Sequence, residues 1–240
     1  MDGPRSLALA GACTAFIAVP NLGALLGPGE QTDRYDTAIT PPGYAFAVWA
    51  PIFTACAAST IAQCRSSARH SAVSRRTGWP LAAAYAANTA WSLAAQSNRF
   101  ALTPYLLPVA ATLAATAHLR LQRLPAGPGP TTITATSTGL LLGWTALASV
   151  VNVVAARPSR NTPRTVPAAT AALLATAAAV TTAVTRSRRG GRAVALTSAW
   201  GLATLAATRR RPTTVRAAAT TGAAAITAAA LTTATDRGRR

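Results

Sequence analysis

The stretch Ile39–Phe53 reads ITPPGYAFAVWAPIF and contains no charged residue. Phe46, Trp49 and Phe53 are separated by three and four residues, a spacing that places side chains on one face of a helix. An uncharged helix with three rings on one face fits two structures. It could lie in the core of a soluble protein, or it could cross a membrane and present its rings to a ligand pocket.

Three prolines mark the course of this helix. The pair Pro41–Pro42 predicts its beginning, because the first residues of a helix have no intrahelical acceptor for their N–H groups. Pro51 lies further along and predicts a kink, which neighbouring helices can accommodate.

The distribution of charge along the whole chain favours the membrane. The chain has 240 residues, of which 50% are hydrophobic and 12% charged, and all of its 23 basic residues are arginine. These charges are excluded from eight blocks, whereas a soluble helix carries charge on its wet face every turn or two. Such exclusion is what a hydrocarbon solvent imposes. It argues against the nucleic-acid binding that a net charge of +18 alone suggests.

The sequence therefore predicts an all-α fold, an integral membrane helical bundle. A bilayer is crossed by about 20 helical residues. Six blocks clearly reach that length, the last barely does, and the seventh is short. The predicted helices are 6–27, 42–63, 79–97, 102–119, 133–155, 166–185, 193–208 and 217–235.

The arginines also predict an orientation. With the N-terminus inside, 14 of them fall in cytoplasmic segments and 9 in outer loops. This excess predicts a multi-pass protein of the cell (plasma) membrane with both termini in the cytoplasm. Attraction of anionic membrane lipid is a second expected role of these side chains.

Chemistry-bearing residues form no catalytic pattern. No nucleophile elbow, phosphate loop, dinucleotide fingerprint or HExxH motif occurs. His70 lies in a basic loop and is predicted to be solvated, and His118 at a helix end is predicted to be interfacial. Glu30, Asp33 and Asp36 share one outer loop without a histidine beside them, and they are interpreted as solvated. We expect no metal site and no enzyme activity.

Aromatic and amide side chains recur inside the apolar blocks. Asn88 and Trp91 are three residues apart on the third helix, and Trp144, Ala148 and Asn152 are four apart on the fifth. With the stripe on the second helix, three helices each offer an aromatic face.

Two interpretations of these faces stay open. Asparagine commonly forms hydrogen bonds between membrane helices, and small residues such as those of the GxxxG motif Gly139–Gly143 let helices approach without proving a dimer. Trp79 and Trp200 are interpreted as interfacial anchors. Alternatively, the three aromatic faces surround a ligand pocket.

Four stretches resemble one family, the tryptophan-rich sensory protein or translocator protein family (TspO/MBR, the peripheral benzodiazepine receptor), in its longer bacterial branch. The order and spacing of the stretches agree with the first, second, third and fifth helices of that family. The stretches are VPNLGALLG (Val19–Gly27), TPPGYAFAVWAPIF (Thr40–Phe53), NTAW (Asn88–Trp91) and GWTALASVVN (Gly143–Asn152).

The resemblance implies a TspO-like five-helix core in residues 1–156, followed by additional transmembrane helices in residues 157–240. It implies a pocket under the loop that joins the first two helices. It also implies binding of a planar hydrophobic ligand such as a porphyrin, haem or another tetrapyrrole, a sensory role, a homodimer and no required cofactor. The implied ligand-binding residues are Phe46, Trp49, Phe53, Asn88, Trp91, Trp144, Ala148 and Asn152.

Other functions remain in play beside a receptor. A transporter of tetrapyrrole or lipid-like molecules is the alternative, and the extra helices are its support. An enzyme that alters porphyrins would need an acid–base pair that the chain does not offer. The chain also departs from the family where Ile39 and Thr40 replace a tryptophan and where Thr89 replaces another. These departures predict altered or weaker ligand binding.

Overall fold

The computed structural model describes residues 2–26, 35–125, 129–157 and 162–238, with side chains described to residue 233. The all-α prediction is confirmed, and the described residues contain no strand. Several residues named above lie outside the described residues: Gly27, Glu30 and Asp33.

The described residues form eight α-helices, as predicted. They are α1 Asp2–Leu26, α2 Trp49–Cys64, α3 Ala72–Gln96, α4 Thr103–Gln122, α5 Pro130–Ala155, α6 Thr165–Arg186, α7 Gly191–Ala207 and α8 Thr213–Gly238. Two short 3₁₀ helices, Gly43–Val48 and Phe100–Leu102, precede α2 and α4.

The start of α3 differs from the prediction, which placed it at residue 79. The side chain of Ser71 accepts a hydrogen bond from the backbone N–H of Ser74 at 3.3 Å and so caps the helix at its N-terminus. Arg75 and Arg76 therefore lie inside α3 rather than in the preceding loop. The absence of charge shows where the apolar block begins, whereas the capping hydrogen bond shows where the helix begins.

Helices α1 to α5 close into a ring. Going round it, α1 packs on α3, α3 on α4, α4 on α5, α5 on α2, and α2 on α1. The interior holds a cluster of buried side chains that includes Phe16, Ile52, Tyr85 and Trp144. The ring places the aromatic faces of α2, α3 and α5 around one interior.

Helices α6 to α8 pack beside this ring and share α5 with it. Helix α7 contacts α5 and α8, while α6 contacts α8, α7 and α5. Their own buried cluster includes Leu173, Val194, Leu202 and Ile226. The division of the chain at residue 156 stays a prediction, and α5 belongs to both packing groups.

Small residues allow α5 and α7 to approach closely. A Cβ atom added at Gly139 would collide with the carbonyl oxygen of Gly190, and one added at Gly143 would collide with that of Val194. Ser198 Oγ donates to the carbonyl oxygen of Gly143 at 2.9 Å. The GxxxG motif therefore packs two helices of the same chain.

Contacts between connections show which loops share an end of the bundle. Tyr35, after α1, stacks on Phe100, before α4, with ring centroids 3.5 Å apart. Asp36 pairs with Arg211, which precedes α8, at 2.6 Å. At the other end, Asp2 contacts His70 at 2.6 Å, and His70 is exposed as predicted.

Within the described ranges, five helical segments are long and apolar enough to cross a membrane: Asp2–Leu26, Gly43–Cys64, Phe100–Gln122, Pro130–Ala155 and Thr165–Arg186. The remaining helices α3, α7 and α8 are not among these candidates. Helix α7 has only 17 residues. The architecture is that of a membrane helical bundle.

We predict that Gly143→Val destabilises the bundle, because the added methyl groups collide with the α7 backbone. Overpacking of this kind costs about 1–3 kcal/mol of folding free energy. Thermal unfolding in detergent, followed by circular dichroism at 222 nm, measures the loss as a lower midpoint. Gly11→Val is the matched control, since a Cβ at Gly11 meets nothing within 4 Å. Equal midpoints for the two variants would contradict the packing argument.

Candidate ligand cavity

The stretch that precedes Phe53 changes its helical form at Trp49. Gly43–Val48 is a 3₁₀ helix and the α-helix begins at Trp49. Pro51 lies in the first turn of that α-helix. The N–H groups of the first turn have no acceptor within the helix, so proline, which lacks an N–H, loses no α-helical hydrogen bond there. The kink at Pro51 stays a prediction, and the change from 3₁₀ to α geometry lies just before it.

This geometry directs two rings toward α5. In a 3₁₀ helix, residues three apart eclipse each other, and Phe46 and Trp49 accordingly face the same partner. Both meet Trp144 edge to face, with ring centroids 5.6 Å and 6.1 Å away, respectively. Aromatic pairs favour this arrangement because the positive edge of one ring meets the negative face of the other.

Trp49 is the centre of the aromatic cluster. It stacks on Phe53 at 5.4 Å and meets Phe16 of α1 edge to face at 5.8 Å. Phe16 also stacks on Tyr85 of α3 at 5.2 Å. Phe16 was not among the predicted ligand-binding residues, although it is an aromatic residue within an uncharged block.

Six of the eight predicted residues line one apolar cavity of about 50 Å³. It lies between α2, α3, α4 and α5, and Tyr35 and Phe100 also line it. The six predicted residues on its wall are Phe46, Trp49, Trp91, Trp144, Ala148 and Asn152.

The other two predicted residues, Phe53 and Asn88, line a neighbouring cavity of about 200 Å³. Trp49 and Trp91 form the wall between the two cavities, since they line both. The side chain of Asn88 is buried, and its Nδ2 donates to the carbonyl oxygen of Ala84 at 2.9 Å. Its Oδ1 accepts no hydrogen bond within the described part of the chain.

A third cavity, called the outer cavity, encloses about 750 Å³ and lies at the end of the bundle where Asp36 lies. Phe46 and Trp49 line it as well as the first cavity. Trp49 therefore borders all three spaces.

The amide of Asn152 is engaged within the bundle. Its Oδ1 accepts a hydrogen bond from Trp91 Nε1 at 2.9 Å, and its Nδ2 donates to the carbonyl oxygen of Ala148 at 2.9 Å. Both side chains of this α3–α5 pair are buried. The bond fixes the plane of the Trp91 indole on the cavity wall, as an unpaired N–H in hydrocarbon would cost several kcal/mol.

Residues 35–48, which line the first and third cavities and are called the roof here, are held by α7, α8 and the connection between them. Arg211 makes a two-fold bond to the carboxylate of Asp36, at 2.6 Å and 2.7 Å, and donates to the carbonyl oxygen of Thr40 at 2.9 Å. Ile39 is fully buried in the cluster formed with α5 to α8. Asp36, interpreted as simply solvated, is thus half exposed but ion-paired.

Trp200 contributes to the same attachment. Its Nε1 donates to the carbonyl oxygen of Ala45 at 2.9 Å, and its ring meets Tyr44 edge to face. Trp200 was predicted only to be an anchor at the membrane interface. The bond joins residues 155 positions apart, a relation that no local pattern predicts.

The side chain of His118, which was predicted to be interfacial at a helix end, is enclosed by the bundle. His118 is buried, with Nδ1 3.1 Å from Thr138 Oγ1 and Nε2 2.8 Å from Ser187 Oγ. Polar partners from α5 and from the end of α6 satisfy both ring nitrogens. His118 therefore joins the ring to the additional helices.

The fold and the aromatic cavity define a class, that of multi-helix membrane proteins with an apolar site between their helices. A family model described as TSPO-like protein matches residues 9–232. The chain belongs to the TSPO-like family, and the match runs through α7 and most of α8. Families of this kind are generally not enzymes. No curated protein and no solved structure shows significant similarity to the chain.

We predict that Asn152→Leu lowers stability, because it leaves the buried Trp91 N–H without its acceptor. A buried unsatisfied donor costs about 1–3 kcal/mol. The double variant Trp91→Phe/Asn152→Leu removes both partners and should lose less than the sum of the two single variants. Thermal unfolding midpoints in detergent complete the cycle. Simple additivity would contradict a coupled pair.

Proposed function

We propose that this membrane protein is a receptor that binds a planar hydrophobic ligand, of the tetrapyrrole class, between α2, α3 and α5. The observation that carries the proposal is the convergence of Phe46, Trp49, Trp91 and Trp144 on one apolar cavity. Flat rings and apolar burial provide affinity for a flat ligand, and a few polar groups orient it.

The size of the cavities bears on how such a ligand would enter. Small-molecule pockets usually enclose about 300–1,000 Å³, whereas the innermost cavity encloses about 50 Å³. The outer cavity of about 750 Å³ is large enough and adjoins it at Phe46 and Trp49. The proposal therefore includes movement of Trp49, which opens the inner space as the ligand seats.

We predict that Trp49→Ala lowers the affinity for protoporphyrin IX about ten-fold or more, because a stacked ring and its apolar contact are lost. Titration of the detergent-purified protein, followed by tryptophan emission, gives the dissociation constant from the midpoint rather than from the amplitude. Trp79→Ala is the control, since Trp79 is half exposed and lines none of the three cavities. Unchanged affinity in Trp49→Ala would overturn the pocket assignment.

Transport of the same ligand, or of a lipid-like molecule, is the alternative function. The additional helices α6 to α8 favour it, since they attach to the roof of the cavities. The acidic residues all lie outside the uncharged blocks, which argues against a proton-coupled carrier. Ligand flux into proteoliposomes, compared with empty liposomes, distinguishes a transporter from a receptor.

We also propose that the chain lies in the cell membrane in contact with lipid, with both termini in the cytoplasm. We propose that it works as a homodimer and that it senses the ligand without catalysing a reaction. Exposed apolar side chains along α1, among them Leu7, Leu22 and Leu25, support contact with acyl chains. Cysteine accessibility at the two termini in intact cells tests the orientation.

A further inference from the structure

The outer cavity combines an aromatic wall with two arginines. Phe46 and Trp49 form part of its lining, and Arg210 and Arg211 form another part. The arginines come from the connection between α7 and α8, which lies outside the five-helix ring. A ligand that reaches the aromatic cavity through this space passes a positively charged rim.

The two arginines differ in their engagement. Arg211 is mostly buried and already bonded to Asp36 and to the backbone of Thr40. Arg210 is exposed and forms neither a hydrogen bond nor an ion pair with any described residue. Arg211 therefore holds the roof, while the guanidinium of Arg210 is available to a ligand.

The local charge balance leaves this rim positive. Asp36 is the acidic residue that lines the cavity, and Arg211 bonds to both of its carboxylate oxygens. Among the described residues, no carboxylate pairs with Arg210, which lines the cavity together with the rings of Phe46 and Trp49. An anionic group placed there gains more from the charge than it would in bulk water.

We infer that Arg210 binds the carboxylate of an amphiphilic ligand whose flat apolar body lies against Phe46 and Trp49. The guanidinium can bond to both oxygens of a carboxylate in one plane. The inference rests on the proposed function and narrows its ligand class to planar acids. It also assigns the additional helices a part in recognition, since they provide the charged half of the site.

The test compares an acid with its neutral ester. Protoporphyrin IX and its dimethyl ester share the flat body and differ in charge. Their dissociation constants are measured by tryptophan emission in a non-ionic detergent for the unmodified chain, Arg210→Gln and Arg209→Gln. Arg209 is the matched control, being exposed, adjacent and absent from the cavity lining. Thermal midpoints confirm that the variants are folded.

The unmodified chain should bind the acid about three- to ten-fold more tightly than the ester, as expected for a partly exposed charge-assisted bond. Arg210→Gln should abolish this difference, Arg209→Gln should keep it, and added salt should reduce it. Equal affinities for acid and ester in the unmodified chain would overturn the inference alone. An equal effect of both variants would also overturn it, by showing diffuse surface attraction. Binding of neither porphyrin would overturn the proposed function itself.

A second arm separates a planar acid from a lipid headgroup, which offers the same anionic chemistry. Phosphatidylglycerol added to the micelles should leave the affinity for protoporphyrin IX unchanged, because its two flexible acyl chains cannot stack on Phe46 and Trp49 as a flat ring system does. Competition that disappears in Arg210→Gln would assign the rim to lipid and overturn the inference.

Discussion

The close approach of α5 and α7 is the contact on which the two packing groups depend. Gly139 and Gly143 present a surface without side chains, so the α7 backbone lies directly on α5. In a lipid solvent, apolar side chains gain little from leaving the lipid, and close packing supplies much of the attraction between helices. Helix α5 thus packs against α7 and also lines the aromatic cavity.

That shared helix links the additional segment to the site. Trp144 and Asn152 of α5 line the cavity, while other residues of α5 pack against α6 and α7, and α7 in turn packs against α8. From there, Trp200 and Arg211 reach the segment before α2. The last three helices therefore position the roof of a site whose walls belong to the first five.

The position of Ile39 ties the segment before α2 to the additional helices. Ile39 is fully buried in the cluster made with α5 to α8, so an aliphatic side chain there packs against helices that a five-helix protein lacks. The aromatic lining is supplemented instead by Tyr35 and Phe100, which stack on each other at the cavity edge.

Sequence alone predicted the helices and six of the residues that line the first cavity. Blocks without charge mark spans because ionic groups are costly in hydrocarbon, and spacings of three and four place Trp144, Ala148 and Asn152 on one face because the helical period is local. Tertiary structure decided the rest. The burial of His118, the bond from Trp200 to Ala45 and the pairing of Arg211 with Asp36 join residues distant in the chain. Such contacts depend on which helices become neighbours, and no local period encodes that arrangement.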